Sequence, residues 1–204
     1  MSPSCNPDRI LSMEQLRQIF EDLEDEEKII LYALGALNGT PIRSKTKLQK
    51  LLFLVSNVFE NYKDLLEFEP HFFGPYSETV DTVLDDLVSL GLVKKGGNKY
   101  SLTSEGFYIY DNLRPKKELK YVIDDFKVFL NDLPQDELLA FIYVTYPRYT
   151  EESAKWNKIQ ANRKKIAVSL LRKHKVSFGK AVEISGLSSS EFNNELKLVH
   201  AKWK

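Results

Sequence analysis

The sequence predicts a mostly α protein with one short β-hairpin, and three observations carry that expectation. Apolar residues recur three and four apart in segment after segment, the period of an amphipathic helix. Leu87 to Gly106 breaks this rhythm: a helix end, a Gly91 stop, a short strand, a Gly96-Gly97 turn, then a second short strand running into a helix start at Thr103 or Ser104. The last fifty residues return to a helical pattern but carry a different charge. From Lys155 to Lys204 there are 12 Lys and Arg against 3 Asp and Glu, a net of +9, while the remainder carries 17 against 26, a net of −9.

The 204 residues are 43% hydrophobic and 12% aromatic, enough for one medium domain plus a smaller one, or two small ones. No apolar run reaches the roughly 18 residues that span a bilayer. The opening MSPSCNPDRI lacks the apolar centre of a signal peptide, so the expected location is cytoplasmic. The single cysteine, Cys5, lies in that Pro- and Ser-rich start and reads as an ordinary unpaired thiol.

The elements follow in order. Ser12-Met13-Glu14-Gln15 has capping-box spacing and starts a first helix; the acids Glu24 to Glu27 suit the N-terminus of a second, expected through Leu37. Gly39-Thr40-Pro41 breaks the chain. Lys45 to Phe59 then places Leu48, Leu51, Leu52, Val55, Val58 and Phe59 on one helical face, with Lys45, Lys47 and Lys50 expected outward. Glu67 to Pro75 is an aromatic, Pro-punctuated connector ending where Ser77 can cap a helix to about Leu90. Glu105 to Asn112 is a short aromatic helix stopped by Pro115, Lys117 to Leu130 is amphipathic, and Glu137 to Tyr146 is apolar enough to be buried. Tyr146 to Thr150 reads as a hinge. Beyond it come a long basic helix, Ser153 to Lys173, and two shorter helices joined at Ser185-Gly186-Leu187-Ser188.

A helix followed by a basic two-stranded hairpin is the layout of a winged helix-turn-helix, which serves nucleic-acid reading and protein contacts alike. Lys94, Lys95 and Lys99 on the hairpin could touch phosphate, or could be a solvated edge that blocks strand pairing. The preceding helix argues against groove reading, because its outward positions include Glu78, Asp81, Asp85 and Asp86, which would face phosphates of like charge. In the alternative reading those four acids form a surface for a basic protein partner.

The C-terminal stretch has helix-turn-helix spacing: Val182 inward, Gly186 at the turn four later, Phe192 inward six beyond. Ser188 or Ser189 can cap the second helix, leaving Ser189, Ser190, Asn193, Asn194 and Lys197 free for bases or phosphates, with Lys173, Lys175 and Lys180 as further phosphate contacts. Packing or dimerisation by a plain helical hairpin is the competing reading. The charge split itself fits either an anionic partner or docking of the two halves on each other.

Val176-Ser177-Phe178-Gly179-Lys180-Ala181-Val182-Glu183-Ile184-Ser185-Gly186-Leu187-Ser188 resembles a family of small uncharacterised prokaryotic proteins of antitoxin-like type, departing at Val182 and Ser185, where alanine is common. That resemblance implies regulation and no catalysis. Lys47-Leu48-Gln49-Lys50-Leu51-Leu52-Phe53-Leu54 together with Phe72-Phe73-Gly74-Pro75-Tyr76-Ser77 looks like the antitoxin-associated Panacea domain, with its Lys-x-x-Lys-Leu-Leu helix and Phe/Trp-x-Gly-Pro turn; archaeal and bacterial winged-helix regulators share the pattern. The Panacea resemblance implies binding a toxin or handing it to a protease.

Chemistry leaves no comparable trace. His71, His174 and His200 stand far apart without metal-ligand spacing, and no phosphate loop appears, so no enzyme, metal or cofactor is expected. Phe68, Phe72, Phe73, Tyr100, Tyr108 and Tyr110 read as core rather than as a ligand-sensing cluster. The expected organisation is a flexible tail over residues 1–11, a winged-helix domain over 12–149 and a basic helical module over 150–204. The expected role is a DNA-binding, homodimeric transcriptional or antitoxin-type regulator; the alternative is a protein-interaction module meeting a basic partner, such as a toxin, through the acidic helix.

Overall fold

The computed structural model describes residues 11–201, with side chains through Leu198; the segment bearing Cys5 and the side chain of His200 lie outside that range. The described chain is mostly helical, with one two-stranded antiparallel sheet. It forms two compact units. The first takes residues 11–69 and 75–131, the second residues 70–74 and 132–201. The division therefore falls at Asn131 and Asp132 instead of near Tyr149, because the apolar helix that ends before Tyr146 packs within the basic unit.

In the first unit, α1 (Met13–Asp22) opens with the expected capping box: Gln15 N donates to Ser12 Oγ at 3.2 Å and Ser12 N to Gln15 Oε1 at 2.9 Å. α2 (Asp25–Gly39) starts with a second box, Glu24 N donating to Glu27 Oε2 at 2.8 Å. Regular helix stops before Ala36, short of the expected Leu37. Ala36 is extended, and Leu37, Asn38 and Gly39 turn left-handed at φ 51°, 53° and 70°. The cause lies in α7 (Lys117–Asn131), where Lys127, 1% exposed, donates to the carbonyls of Ala33, Leu34 and Ala36 at 2.9, 2.9 and 2.8 Å. Asp124 Oδ1 accepts from Leu37 N at 3.1 Å, so two α7 side chains satisfy a helix end that its own chain leaves open.

α3 (Lys45–Val58), capped by Ser44, buries Leu48, Leu51, Leu52 and Val55 as its periodicity requires, but Val58, expected on the same face, is 52% exposed and Phe59 half-buried, because the helix ends there. Lys50 is not outward: it is 2% exposed. Periodicity missed this because a lysine can enter a core where its ammonium meets an acceptor, here Pro75 O at 2.6 Å. α4 (Asn61–Leu66) has no counterpart among the expected helices, and the connector after it makes one β-bridge, Glu69 to Tyr76. α5 (Glu78–Ser89) is capped by Ser77 and ends in a Schellman arrangement, Leu92 N to Leu87 O at 3.0 Å and Gly91 N to Val88 O at 3.1 Å, with Gly91 at φ 78°.

β1 (Val93–Gly96) pairs antiparallel with β2 (Lys99–Leu102). The turn is Gly97-Asn98, one residue later than expected, since Gly96 still pairs with Lys99; Gly97 supplies the positive φ, 60°. Ile42 adds a bridge to Tyr100. Thr103 caps α6 (Ser104–Leu113). α2 is central, packed by α5, α6, α7 and β2, and the buried Ile29, Ile30, Leu34, Leu84, Ile109 and Ile123 meet around it. Each such aliphatic side chain contributes about 1.5–3 kcal/mol on burial.

The second unit contains α8 (Gln135–Thr145), a 3-10 turn at Pro147–Thr150 where a hinge was expected, α9 (Trp156–Arg172), α10 (Phe178–Ser185) and α11 (Ser189–Ala201). Lys155 precedes α9 and Lys173 follows it, so the basic helix is shorter at both ends than expected. Residues 70–74 belong with these helices: Gly74 packs on Leu139 and Tyr143, Ala154 N donates to Phe72 O at 3.2 Å, and Lys155 Nζ lies 5.5 Å from the Phe73 ring centroid. Phe72 and Phe73 are exposed and not core, since Gly74 faces inward in their place; Phe68 and Tyr100 are buried, and Tyr108 and Tyr110 half-buried.

Candidate functional site

Within the first unit, α3 and the segment Pro75 to Ser77 are joined by hydrogen bonds. Gln49 on α3 exchanges two hydrogen bonds with the backbone of Ser77, Ser77 N to Gln49 Oε1 at 3.0 Å and Gln49 Nε2 to Ser77 O at 2.9 Å, while its neighbour Lys50 holds Pro75 O. Burial pushes the Lys50 ammonium down to about 7. Gln49, Lys50 and Ser77 are buried. Gln49 and Lys50 tie Pro75 and Ser77 to α3 and set the start of α5.

What α5 presents is acidic. Glu78, Asp85 and Asp86 are exposed and Asp81 half-buried. Lys45 lies 3.0 Å from Asp81 and 3.3 Å from Asp85; burial would push its ammonium down, but hydrogen bonds to both acids outweigh that and hold it above its ordinary value. Among the described residues Lys45 is the cation paired among these four carboxylates, which leaves the face net negative.

The hairpin lysines are exposed but divided. Lys94 is paired with Ser101 and Gly96 with Lys99, which puts Lys94 and Lys99 on one face; Lys95 pairs with Tyr100 on the other, its Nζ 5.9 Å from the ring centroid. They do not form a single three-lysine surface.

In the second unit, three of the lysines expected on phosphate already have carboxylate partners. Lys173 Nζ lies 2.8 Å from both Glu137 oxygens, a carboxylate that also accepts from Ser169 Oγ at 2.7 Å; Lys175 Nζ is 2.9 Å from Asp132 and Lys180 Nζ 2.9 Å from Glu183. Lys173 and Lys175 fasten the segment after α9 to α8 and the residues before it.

α11 is built differently. α10 buries Ala181, Ile184 and Ser185, and Val182, expected inward, is half-buried, because the buried stripe of the helix runs through its neighbour Ala181. Gly186 turns the chain at φ 72°, and Ser188 caps α11, with Ser188 N to Glu191 Oε2 at 2.9 Å and Glu191 N to Ser188 Oγ at 3.3 Å. Hydrogen bonds from Ser188, assisted by the charge of Lys164, hold the Glu191 carboxyl below its ordinary value. Phe192 is fully buried and packs on Phe178, ring centroids 5.8 Å apart. With that anchor inward, Ser189, Ser190, Asn193, Asn194 and Lys197 are all exposed. The structure thus places these five residues together on the exposed side of α11.

Sequence reasoning missed Arg163 on α9, whose Nε donates to Ile184 O at 2.6 Å and whose Nη2 donates to Glu183 O at 2.8 Å. It also missed Lys127. Among the described residues no group of three or more His, Cys, Asp or Glu side chains could hold a metal ion, and no helix is long and apolar enough to cross a membrane.

No family model matches the chain. It is similar to the uncharacterized protein YwgA of Bacillus subtilis (strain 168), 33% identical over 79 residues that make up 35% of this chain and 46% of YwgA. The chain thus spans less than half the length of the curated relative it matches.

Proposed function

We propose that the protein is a DNA-binding regulator that contacts DNA through α11. The observation that carries this reading is the exposed Ser189, Ser190, Asn193, Asn194 and Lys197 surface on a helix held from behind by Phe192 and capped at its N-terminus. Amide and hydroxyl side chains near a helix N-terminus suit base edges and phosphates in a major groove. Phosphate contact falls to Lys197 and Lys164, not to Lys173, Lys175 and Lys180, whose carboxylate partners would have to be displaced first. In the first unit, the order α3, α4, α5, β1, β2 with the Ile42 bridge to Tyr100 supports a winged helix-turn-helix reading, with Lys94 and Lys99 as the hairpin face for phosphate.

Fluorescence anisotropy of the full chain on a labelled random-sequence duplex tests the reading, followed by selection from a randomised pool. Affinity is expected to fall steeply with salt, Lys197→Ala to reduce the salt slope by about one, and the paired substitution Asn193→Ala with Asn194→Ala to abolish sequence preference. Absence of binding at low salt, or a salt-independent affinity, would sink it.

A second reading rests on the net-negative face of α5. In it the protein is an antitoxin-type or adaptor module that meets a basic protein through Glu78, Asp85 and Asp86. Capture of a stoichiometric basic partner by the wild type, lost on Glu78→Lys with Asp86→Lys, is its expected result.

A further inference from the structure

We propose that Arg163 is a positioning residue for the α11 surface, setting the orientation of the α10–α11 pair against α9 without itself touching the ligand. The inference rests on the reading of α11 as the contacting helix. Its fork reaches two successive carbonyls, Glu183 O and Ile184 O, at the C-terminal end of α10. Successive carbonyls on a helix point about 100° apart around the axis. A planar group that holds both therefore fixes the rotation of α10 as well as its distance from α9. A lysine ammonium, a single point of charge on a flexible stem, supplies the charge for the helix end without that fork.

From that clamp to α11 the chain has little freedom. Gly186 N donates to the carbonyls of Val182 and Glu183 at 3.2 Å; Ser185 Oγ donates to Val182 O at 2.7 Å and accepts from Leu187 N at 3.1 Å; Ser188 then caps α11. The guanidinium also fills the space beside the turn, since a Cβ on Gly186 would stand 3.1 Å from Arg163 Cζ. The Glu183 carboxylate takes no part, being paired with Lys180. The guanidinium is thus committed to backbone, and its work is geometric.

Arg163→Lys and Arg163→Gln in the full chain separate geometry from charge, and Gly186→Ala disturbs the same clamp from the turn side. Amide NMR signals of residues 187–197 are expected to shift or broaden in all three variants while those of α8 stay in place. Affinity for the duplex recovered by the selection is expected to fall about tenfold or more in both Arg163 variants. The salt slope stays at its wild-type value, because no phosphate contact is lost. Wild-type affinity and spectra in Arg163→Lys would overturn the proposal, as would a slope lowered by about one, which would make Arg163 a phosphate contact. If the wild type binds no duplex, the DNA reading fails by itself, and the amide signals of α11 still decide whether Arg163 positions it.

Discussion

Lys127→Met is expected to destabilise the first unit by about 3 kcal/mol near neutral pH, read as a lower urea midpoint at unchanged slope. Two effects compete. Methionine removes the cost of holding an amine in a site 1% exposed, which on its own favours the variant. Against that, the carbonyls of Ala33, Leu34 and Ala36 all lose a donor they cannot recover from water, at about 1–3 kcal/mol each. The second effect is larger, and it falls where Leu37 and Asn38 already sit at positive φ. Burial lowers the Lys127 ammonium from 10.5 to about 7, opposed only in part by Asp124. The native state therefore binds fewer protons than the unfolded chain between about 7 and 10.5, and stability rises with pH across that window, by up to about 1.4 kcal/mol per pH unit for such a lysine. The gap between wild type and Lys127→Met should widen from pH 7 toward 10. Urea unfolding over a pH series checks this; a constant gap would show that Lys127 titrates as it does in the unfolded chain.

Gly106→Ala is expected to cost about 3 kcal/mol and to lower Tm by about 10 °C. A Cβ there would lie 2.0 Å from Leu92 O and 3.0 Å from Leu92 C. That obstacle is main chain, so no rotamer change relieves it. Leu92 O also accepts from Thr103 N at 3.0 Å and Thr103 Oγ1 at 3.2 Å, the contacts that join the end of α5 to the start of α6. Gly91→Ala is the matched control: it has nothing within 4 Å of its Cβ, and only its φ of 78° resists, for about 1 kcal/mol. Calorimetry on both variants separates steric from conformational cost. Equal losses would mean that Leu92 and α6 move apart freely.

Legibility in the sequence followed the range of the interaction. The Ser12 and Ser77 caps, the Gly91 stop and the Leu48 to Val55 face are set within a few residues and are readable, and the Thr103 and Ser188 caps are readable to within one residue. Lys50 and Lys127 were not, because their acceptors lie 25 and more than 90 residues away, and hydrophobic period treats a lysine as solvent-facing wherever it falls. The same holds for the candidate site. Phe192 inward with Asn193, Asn194 and Lys197 outward is a matter of helical period. That Lys173 and Lys175 are already matched to Glu137 and Asp132 depends on which segments meet, and a charge count cannot carry that information; Lys180 and Glu183, three apart on α10, are matched within their own helix.

Residues 70–74 lie far ahead of the rest of their unit in the chain. Closing the loop between Gly74 and its neighbours Leu139 and Tyr143 costs entropy that no local contact offsets in advance. The second unit should therefore gain its last packing late in folding, after α8 to α11 have met, with the early segment docking onto a preformed platform. A fragment beginning at Asp132 would keep the four helices and lose that final step. The shortest stretch of chain that contains the whole unit begins at Pro70.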